Sequence, residues 1–267
     1  MQENAPKKAL DDALAIMRDL RARDAWDKAQ THESLRPYLN EEMHELDDAI
    51  RLGHDAEMQS ELGDVLLQVL FHAIIAEERG AFDIRDVAGS LVHKMTARHP
   101  WLYGDAPVRE PWEQMKSKTR RSLADGLPQE LPSLHRAHRL QERAAGIGFD
   151  WPDVRGPIDK VREELAEVEA VIAAHGAAFD THGVPSGDAR HSALEDELGD
   201  LLFAVVNLCR KAETHPALAL DRANAKFQQR FEAVEQIAAE RGLDVRTAGL
   251  DALDVIWDEV KRNEPKR

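Results

Sequence analysis

The sequence lacks the features that would place it among disulfide-bonded, membrane-spanning or secreted proteins. Its 267 residues include one cysteine, Cys209, which excludes an internal disulfide and leaves no cysteine cluster for zinc. No apolar run approaches the roughly 18 residues that a membrane-spanning helix needs. The opening segment MQENAPKKALDD is polar and has no apolar core of a secretory signal. We therefore expect a cytoplasmic protein with no membrane partner.

Positive charge is also scarce. The chain has 35 lysines and arginines against 50 aspartates and glutamates, which gives a formal net charge of −15. General nucleic-acid-binding proteins usually carry a basic surface, so we expect no nucleic-acid partner. Hydrophobic residues make up 43% of the chain, which is enough for a packed core. At about 150 residues per domain, the length corresponds to about two domains.

Long alternating runs of β-branched residues are missing, so the strand signals are weak. Apolar residues recur at helical spacing instead, as Leu10, Leu14 and Met17 do near the start. Asp55 is predicted to cap the helix that contains residues 62–76, and Gly80 to follow its end. Further helices are predicted at residues 84–97, 161–174, 193–212, 218–239 and 250–260. The pattern therefore predicts an all-α fold.

Two segments rich in glycine, proline and polar residues separate the helical regions. Residues 118–132, KTRRSLADGLPQELP, are predicted to form a linker, so the expected domains are residues 1–117 and 133–267. Residues 175–190, HGAAFDTHGVPSGDAR, are predicted to form a flexible surface loop between two helices. Three histidines in such contexts are expected at the surface: His135, His138 and His191.

The two halves of the chain repeat the same acidic motifs in the same order. EExxE occupies residues 41–45 and 163–167, and ELGD occupies residues 61–64 and 197–200. Two further spacings recur after them, K-x-x-x-R and W-x-x-x-K. K-x-x-x-R is formed by Lys94 and Arg98 in the first half and by Lys226 and Arg230 in the second. W-x-x-x-K is formed by Trp112 and Lys116 in the first half and by Trp257 and Lys261 in the second. Four signatures in one order predict two tandem repeated helical bundle domains.

The acidic motifs of the second half predict a metal site. Residues three or four apart share a helix face, which pairs Glu164 with Glu167 and Glu197 with Asp200. If the two helices pack antiparallel, four carboxylates converge and repel one another unless a cation neutralises them. Carboxylate oxygens favour Mg²⁺ or Mn²⁺ over zinc. EExxE alone is also an ordinary solvent-facing pattern, but the neighbouring apolar segments favour the metal interpretation. Gly199 is expected to permit a close backbone approach.

Basic residues near this site indicate a phosphate ligand. Lys226 and Arg230 share a helix face, and Lys160 lies one turn before Glu164. Lysine and arginine beside a magnesium site commonly contact phosphate oxygens. A solvated helix face is the alternative for Lys226 and Arg230. Trp257 is either a stacking surface for a base or a residue of the core.

Taken together, these motifs resemble the MazG family of nucleoside triphosphate pyrophosphohydrolases, whose fold is all-α. The segments WDKAQT, RHP, GFDW, DELGDLLFAVVNL and ANAKFQQRF are of the same type, and the resemblance covers nearly the whole chain. It implies hydrolysis of nucleoside triphosphates, ATP among them, to a monophosphate and pyrophosphate. It further implies a homodimer, a broad range of bases and a house-cleaning or stress-related role.

The resemblance also implies roles for individual residues. Mg²⁺ would be held by Glu164, Glu167, Glu197 and Asp200, and Glu163 would orient the attacking water or cap the site. The nucleotide site would be lined by Lys160, Lys226, Arg230, Trp257 and Lys261. The family usually has its activity in the C-terminal domain. The first copy offers a possible second metal site at Glu42, Glu45, Glu61 and Asp64, but Tyr38 stands where the second copy has Lys160.

Two other functions remain open at this point. A di-iron carboxylate bundle combines glutamates with an E-x-x-H motif, which Glu41 and His44 form in the first copy. The second copy has Ala166 at that place, and neither ELGD supplies the further histidine. The other alternative is a nucleotide sensor or partner-binding scaffold that binds triphosphates without hydrolysing them. For the enzyme, the expected reaction is metal-assisted attack by water, without a serine or cysteine nucleophile.

Overall fold

The computed structural model describes residues 9–105, 108, 112–117, 120–175 and 189–264. Within these residues the chain is helical and contains no strand, which confirms the predicted all-α fold. The helices are α1 (Ala9–Arg23), α2 (Ala25–Ala29), α3 (Arg36–Leu52), α4 (Asp55–Glu78), α5 (Ile84–Arg98), α6 (Pro100–Tyr103), α7 (Trp112–Ser117), α8 (Ser133–Gly146), α9 (Arg155–His175), α10 (Ala189–Lys211), α11 (Pro216–Glu240) and α12 (Leu250–Asn263).

The ends of α4 show how far local sequence predicts a helix boundary. The capping residue is His54, and Asp55 is the first residue of the helix, so the prediction that Asp55 is the cap is wrong by one position. Its carboxylate still lies in the first turn, where a negative charge is favourable. Gly80 follows the end of α4 with φ +65°, a backbone conformation that glycine adopts without strain. This second prediction is confirmed.

The described chain divides into two compact units, residues Met1–Arg109 and Glu110–Arg267. Helix α7 therefore belongs to the second unit, although its W-x-x-x-K motif is part of the first copy in the sequence repeat. Within that unit α7 packs on α8, where Glu113 accepts hydrogen bonds from Arg120 at 2.7 Å and Arg139 at 3.0 Å. A Cβ at Gly146 would lie 2.7 Å from the Cβ of Glu113, so this close packing requires a glycine.

The described part of the predicted linker, residues 120–132, has no helix but is anchored to α8. The buried guanidinium of Arg143 donates to the carbonyl oxygens of Leu123 at 2.7 Å and Asp125 at 2.9 Å. Arg136 donates to the carbonyl of Pro128 at 2.9 Å. These contacts make the segment part of the second unit. The other predicted loop, residues 175–190, falls mostly on residues 176–188, which lie outside the described residues.

The first unit is built around α4, whose second half is apolar. Helix α3 packs along α4, and α1 packs across it. The core contains Met17 of α1, Leu35 just before α3, and Leu70, Phe71, Ile74 and Ile75 of α4. Ion pairs join α1 to the end of α4, from Arg18 to Glu77 at 2.8 Å and from Arg21 to Glu78 at 2.8 Å.

The second unit contains two helix pairs, α9 with α10 and α11 with α12. Helix α8 packs against α10 and α11, and Gln141 of α8 donates to the carbonyl of Phe203 at 2.8 Å. Val234, Ala238 and Ile256 form the buried core of the α11–α12 pair. Among the described helices, none has the length and apolar character needed to cross a membrane.

Candidate metal centre

The second unit brings carboxylates of α9 and α10 to one point. Glu164, Glu197 and Asp200 each offer an oxygen within 4.8 Å of the oxygens offered by the other two. The spacing of Glu197 and Asp200 places both on one face of α10, and the packing of α9 along α10 brings Glu164 to them. Glu164 is buried, with 4% of its surface exposed, whereas Asp200 is exposed. The predicted convergence is therefore present for three of the four acids.

Glu167, the fourth predicted acid, lies beside this group. Its hydrogen bond with Glu164 raises the pKa of Glu167, and burial and the charge of Glu197 raise it further. These two glutamates stand three residues apart on α9, so their negative charges repel each other. A divalent cation bound between them would relieve this repulsion.

Lys160 is part of the carboxylate cluster itself. Its ammonium contacts Glu164 and lies 2.9 Å from Oε1 of Glu163. The hydrogen bond from Lys160 lowers the pKa of Glu164, although burial acts in the opposite direction. The two glutamates raise the pKa of Lys160 above its usual value. The lysine predicted to meet phosphate is therefore a counter-charge for the acids in this structure.

The first unit forms a related cluster between α3 and α4. Oxygens of Glu42, Glu45 and Glu61 lie within 4.8 Å of one another. Burial raises the pKa of Glu42, and the charges of Asp64 and Glu45 add to this effect. Burial also raises the pKa of Glu61, with Glu45 and Asp64 again contributing. Within the described part of the chain, no lysine or arginine forms an ion pair with these four acids.

Gln68 is a residue of this first cluster that the motifs do not reveal. It is 3% exposed and lies close enough to Glu42 to lower the pKa of that carboxyl, while its Oε1 atom is buried without a hydrogen-bond partner. A glutamine in the otherwise apolar run VLLQVLF is a sequence signal that could have identified it, because buried polar side chains need partners. In the second copy Ala204 stands at this position.

The predicted nucleotide-binding residues form a separate group on α11 and α12. Arg230 donates to Glu264 at 2.6 Å and 2.7 Å, and its guanidinium lies 5.8 Å from the ring centre of Trp257. Trp257 packs against the core of the helix pair. Lys261 pairs with Asp258 at 2.8 Å, and Lys226 is exposed. Among the described residues no ion pair joins this group to the carboxylates of α9 and α10.

Two local expectations are corrected by the packing. A Cβ at Gly199 would meet no atom within 4 Å in the described chain, so no backbone approaches there. His135 and His138 are not surface residues of a linker, because both lie on α8 and are partly buried against His215. The side chain of His191 lies outside the described residues.

The donor set of both clusters is chemically uniform. Each consists of carboxylates without a histidine, and His44 of the E-x-x-H motif is exposed. A di-iron site of the bundle type needs histidine ligands among its glutamates, so the clusters do not fit it. All-oxygen donors fit a hard divalent cation such as Mg²⁺ or Mn²⁺.

Comparisons with known proteins agree with this geometry. The profile of the MazG nucleotide pyrophosphohydrolase domain matches residues 30–103 and 157–235. The first match contains the acidic cluster of α3 and α4, and the second contains that of α9 and α10, which confirms the tandem arrangement.

Curated relatives match over nearly the full length. The nucleoside triphosphate pyrophosphohydrolase of Escherichia coli (strain K12) is 39% identical over 96% of this chain and 98% of its own length. The nucleoside triphosphate pyrophosphohydrolase/pyrophosphatase MazG of Thermotoga maritima is 41% identical over 94% of this chain and 95% of its own length. Two matched domains and two full-length relatives establish that the chain belongs to the MazG nucleotide pyrophosphohydrolase family.

Proposed function

We propose that this chain hydrolyses nucleoside triphosphates between the α and β phosphates and releases a nucleoside monophosphate and pyrophosphate. The observation that carries the proposal is the convergence of Glu164, Glu197 and Asp200 within 4.8 Å, from two packed helices. The names of the two full-length relatives support the reaction. The catalytic domain of this proposal is residues 133–267, which lie within the second unit, Glu110–Arg267.

Glu164, Glu167, Glu197 and Asp200 are the proposed ligands of Mg²⁺, with Mn²⁺ as a substitute. When bound, the ion supplies charge neutralisation for the phosphates and lowers the pKa of water. The buried position of Glu164 limits its motion and keeps one ligand in a constant place. Glu163 is more exposed and is proposed to orient the attacking water or to cap the site.

Lys160 is proposed to exchange partners when a triphosphate binds. In the described chain its ammonium offsets part of the charge of Glu163 and Glu164. A cation that binds Glu164 removes the need for this counter-charge. The freed ammonium then lies one helical turn from the cluster, where it can donate to a phosphate oxygen.

Lys226, Arg230, Trp257 and Lys261 are proposed to bind the nucleotide in a homodimer. Large apolar side chains on the pair that carries the carboxylates support dimerisation, because about half of each surface is exposed: Leu165 46%, Ile172 44%, Leu202 59% and Phe203 45%. Large apolar side chains left exposed to this extent commonly mark an interface when they lie together. Covering these side chains with a second chain would change the surroundings of the carboxylate cluster on α9 and α10.

The first unit is proposed to bind a divalent cation at Glu42, Glu45, Glu61 and Asp64 without contributing the main activity. Tyr38 in place of Lys160 supports this division. The net charge of −15 supports free nucleotides, rather than nucleic acid, as substrates. A broad range of bases and a house-cleaning or stress-related role complete the proposal.

Release of pyrophosphate from a panel of triphosphates, with and without Mg²⁺, tests the proposal. We expect Glu164→Gln and Glu197→Gln to reduce turnover by about a hundredfold or more, because each removes charge stabilisation at the reacting phosphates. Glu169→Gln, an exposed substitution on the same helix, is the matched control and should keep full activity.

The same assay separates the proposal from its alternatives. Full activity of both cluster variants would refute the site. Loss of activity in Glu42→Gln and Glu61→Gln, with activity retained in the other pair, would place catalysis in the first unit. Tight triphosphate binding by the unaltered chain without pyrophosphate release would indicate a sensor.

A further inference from the structure

Three histidines meet where α8 packs against the start of α11. His135 and His138 stand three residues apart and therefore share a face of α8. His215 is the capping residue of α11. The ring of His215 lies 5.1 Å from that of His135 and 4.8 Å from that of His138, measured between ring centres. None of these residues belongs to the carboxylate clusters.

Two of the imidazoles carry a buried nitrogen without a partner. The Nδ1 atoms of His138 and His215 are excluded from solvent and make no hydrogen bond. His215 does not use its side chain to cap α11, although it occupies the capping position. Buried polar atoms almost always have a partner, so two adjacent exceptions point to a ligand that binds between these rings.

The electrostatic environment favours a cation that binds neutral imidazole. Burial lowers the pKa of His135, and the neighbouring His215 and Arg139 lower it further. Burial also lowers the pKa of His138, against the opposing effect of Glu142. Arg139 is itself paired with Glu113 at 3.0 Å and with Glu142, so much of its charge is offset. Neutral histidines are metal ligands and have little affinity for anions.

We propose that His135, His138 and His215 form a binding site for a borderline transition-metal ion, with Zn²⁺ as the representative. Imidazole nitrogen suits zinc and not the hard cations that carboxylates prefer. A water supplies the fourth ligand, because Oε2 of Glu142, which lies 3.7 Å from Nδ1 of His138, is already paired with Arg139. The ring nitrogens do not yet converge as the carboxylate oxygens do, so binding includes rotation of the side chains.

The site would join α8 to the start of α11, two helices that pack against each other. His135 and His138 belong to α8, which also holds the segment 120–132, and His215 begins the helix that carries Lys226 and Arg230. A bound ion would therefore fix the start of α11 against α8. This inference does not depend on the proposed hydrolysis, because it concerns different residues and a different class of metal.

Calorimetric titration of the full chain with Zn²⁺ tests the site. The protein is first stripped with a chelator and then kept in excess Mg²⁺, so that the carboxylate clusters are occupied. Titration with Co²⁺ adds a spectroscopic readout, because tetrahedral nitrogen ligation gives strong visible absorption. We expect one tight site per chain. Removing a residue that hydrogen-bonds to a metal ligand costs about 10–100-fold in metal affinity. Removing the ligand itself should cost more, so His138→Gln and His215→Gln should each weaken Zn²⁺ binding by at least about a hundredfold.

His93→Gln, which alters an exposed histidine on α5, is the matched control and should bind Zn²⁺ as the unaltered chain does. The Glu164→Gln, Glu197→Gln double variant should also retain the tight site. His135→Gln provides a third test should either other variant lose its helical circular dichroism signal. Unchanged zinc binding in the histidine variants, loss of binding in the double glutamate variant, or no tight binding at all would each overturn the proposal.

Discussion

Lys160 and Tyr38 occupy matching positions, each one helical turn before a cluster glutamate, and they leave the two clusters in different electrostatic states. In the second unit the hydrogen bond from Lys160 lowers the pKa of Glu164. In the first unit burial raises the pKa of Glu42, and Asp64 and Glu45 add to it. The same acidic motif thus produces one cluster that has a lysine as counter-charge and one whose acids form no ion pair with a lysine or arginine of the described chain.

Exchanging these two residues tests that difference most directly. We expect Lys160→Tyr to reduce pyrophosphate release by about tenfold to a hundredfold, since a hydrogen bond to a charged group contributes about 1.5–3 kcal/mol. Tyr38→Lys should leave the overall rate nearly unchanged, because the second unit still supplies it. Steady-state kinetics with Mg²⁺ and a triphosphate provide the measurement. An unchanged rate in Lys160→Tyr would show that the lysine does not distinguish the two units.

The C-terminal ends of α4 and α10 carry residues of opposite charge, and this difference affects stability. Two acids end α4 and are bound by arginines of α1, whereas Arg210 and Lys211 end α10 and bind Asp150. Burial alone would raise the pKa of Asp150, but the hydrogen bonds from Arg210 and Lys211 outweigh it and lower the pKa to about 2. Asp150 is 22% exposed, and Glu78 is 46% exposed.

We therefore expect Asp150→Asn to lower the free energy of unfolding at neutral pH by about 2 kcal/mol, at about 1.4 kcal/mol per pKa unit. Glu78→Gln should cost less, because solvent screens its pair. The folded pKa of Asp150 lies below its unfolded value. Its contribution is therefore complete above pH 3.8 and is lost as the pH falls towards 2. Denaturant unfolding at several pH values checks this, and an equal loss in both variants would contradict it.

Gly63 and Gly199 occupy the same place in the two ELGD motifs, and a Cβ added to either would meet no atom within 4 Å in the described chain. Since glycine inside a helix costs about 0.5–1 kcal/mol relative to alanine, Gly63→Ala and Gly199→Ala should each stabilise the protein by about that amount. Thermal unfolding and pyrophosphate release are the measurements. Loss of dimer or of activity in Gly199→Ala alone would show that a second chain approaches α10 at this glycine.

Substitutions of the matching glutamates should have opposite effects on the metal-free protein. Glu42→Gln removes a like charge and should therefore raise the unfolding temperature slightly. The gain in the free energy of unfolding should be no more than about 0.5 kcal/mol, because the group is partly solvated. Glu164→Gln should lower it, because Lys160 loses its partner. Because the folded pKa of Glu42 is raised, its cost is present above that pKa and disappears as the pH falls.

Thermal unfolding in a chelator, from pH 4 to pH 8, provides the measurement for this pair. Stability of the unaltered chain should rise relative to Glu42→Gln as the pH falls. A change of the unfolding temperature in the same direction in both glutamate variants would contradict the electrostatic difference between the units. Added Mg²⁺ should reduce the advantage of Glu42→Gln, because the cation offsets the charge that the substitution removes.

Several site residues could be predicted because their signals are local. The spacing of Glu197 and Asp200 alone places them on one helix face, and α10 obeys it. The burial of Gln68 has a weaker signal, a polar residue within an apolar run. The partner of Arg230 has no such signal, because Glu264 lies far from it in the sequence, whereas Lys160 pairs with glutamates three and four residues further along its own helix.

Helical periodicity was sufficient to predict an all-α chain, and the repeated acidic motifs were sufficient to predict which acids share a helix face, since both follow from residue spacing along one helix. Packing decided the rest. It assigned α7 to the second unit, through Glu113 and its arginines, and it turned His135 and His138 into an interior cluster with His215. Such contacts join residues far apart in the chain, and their energies depend on burial and partner geometry, which spacing does not encode.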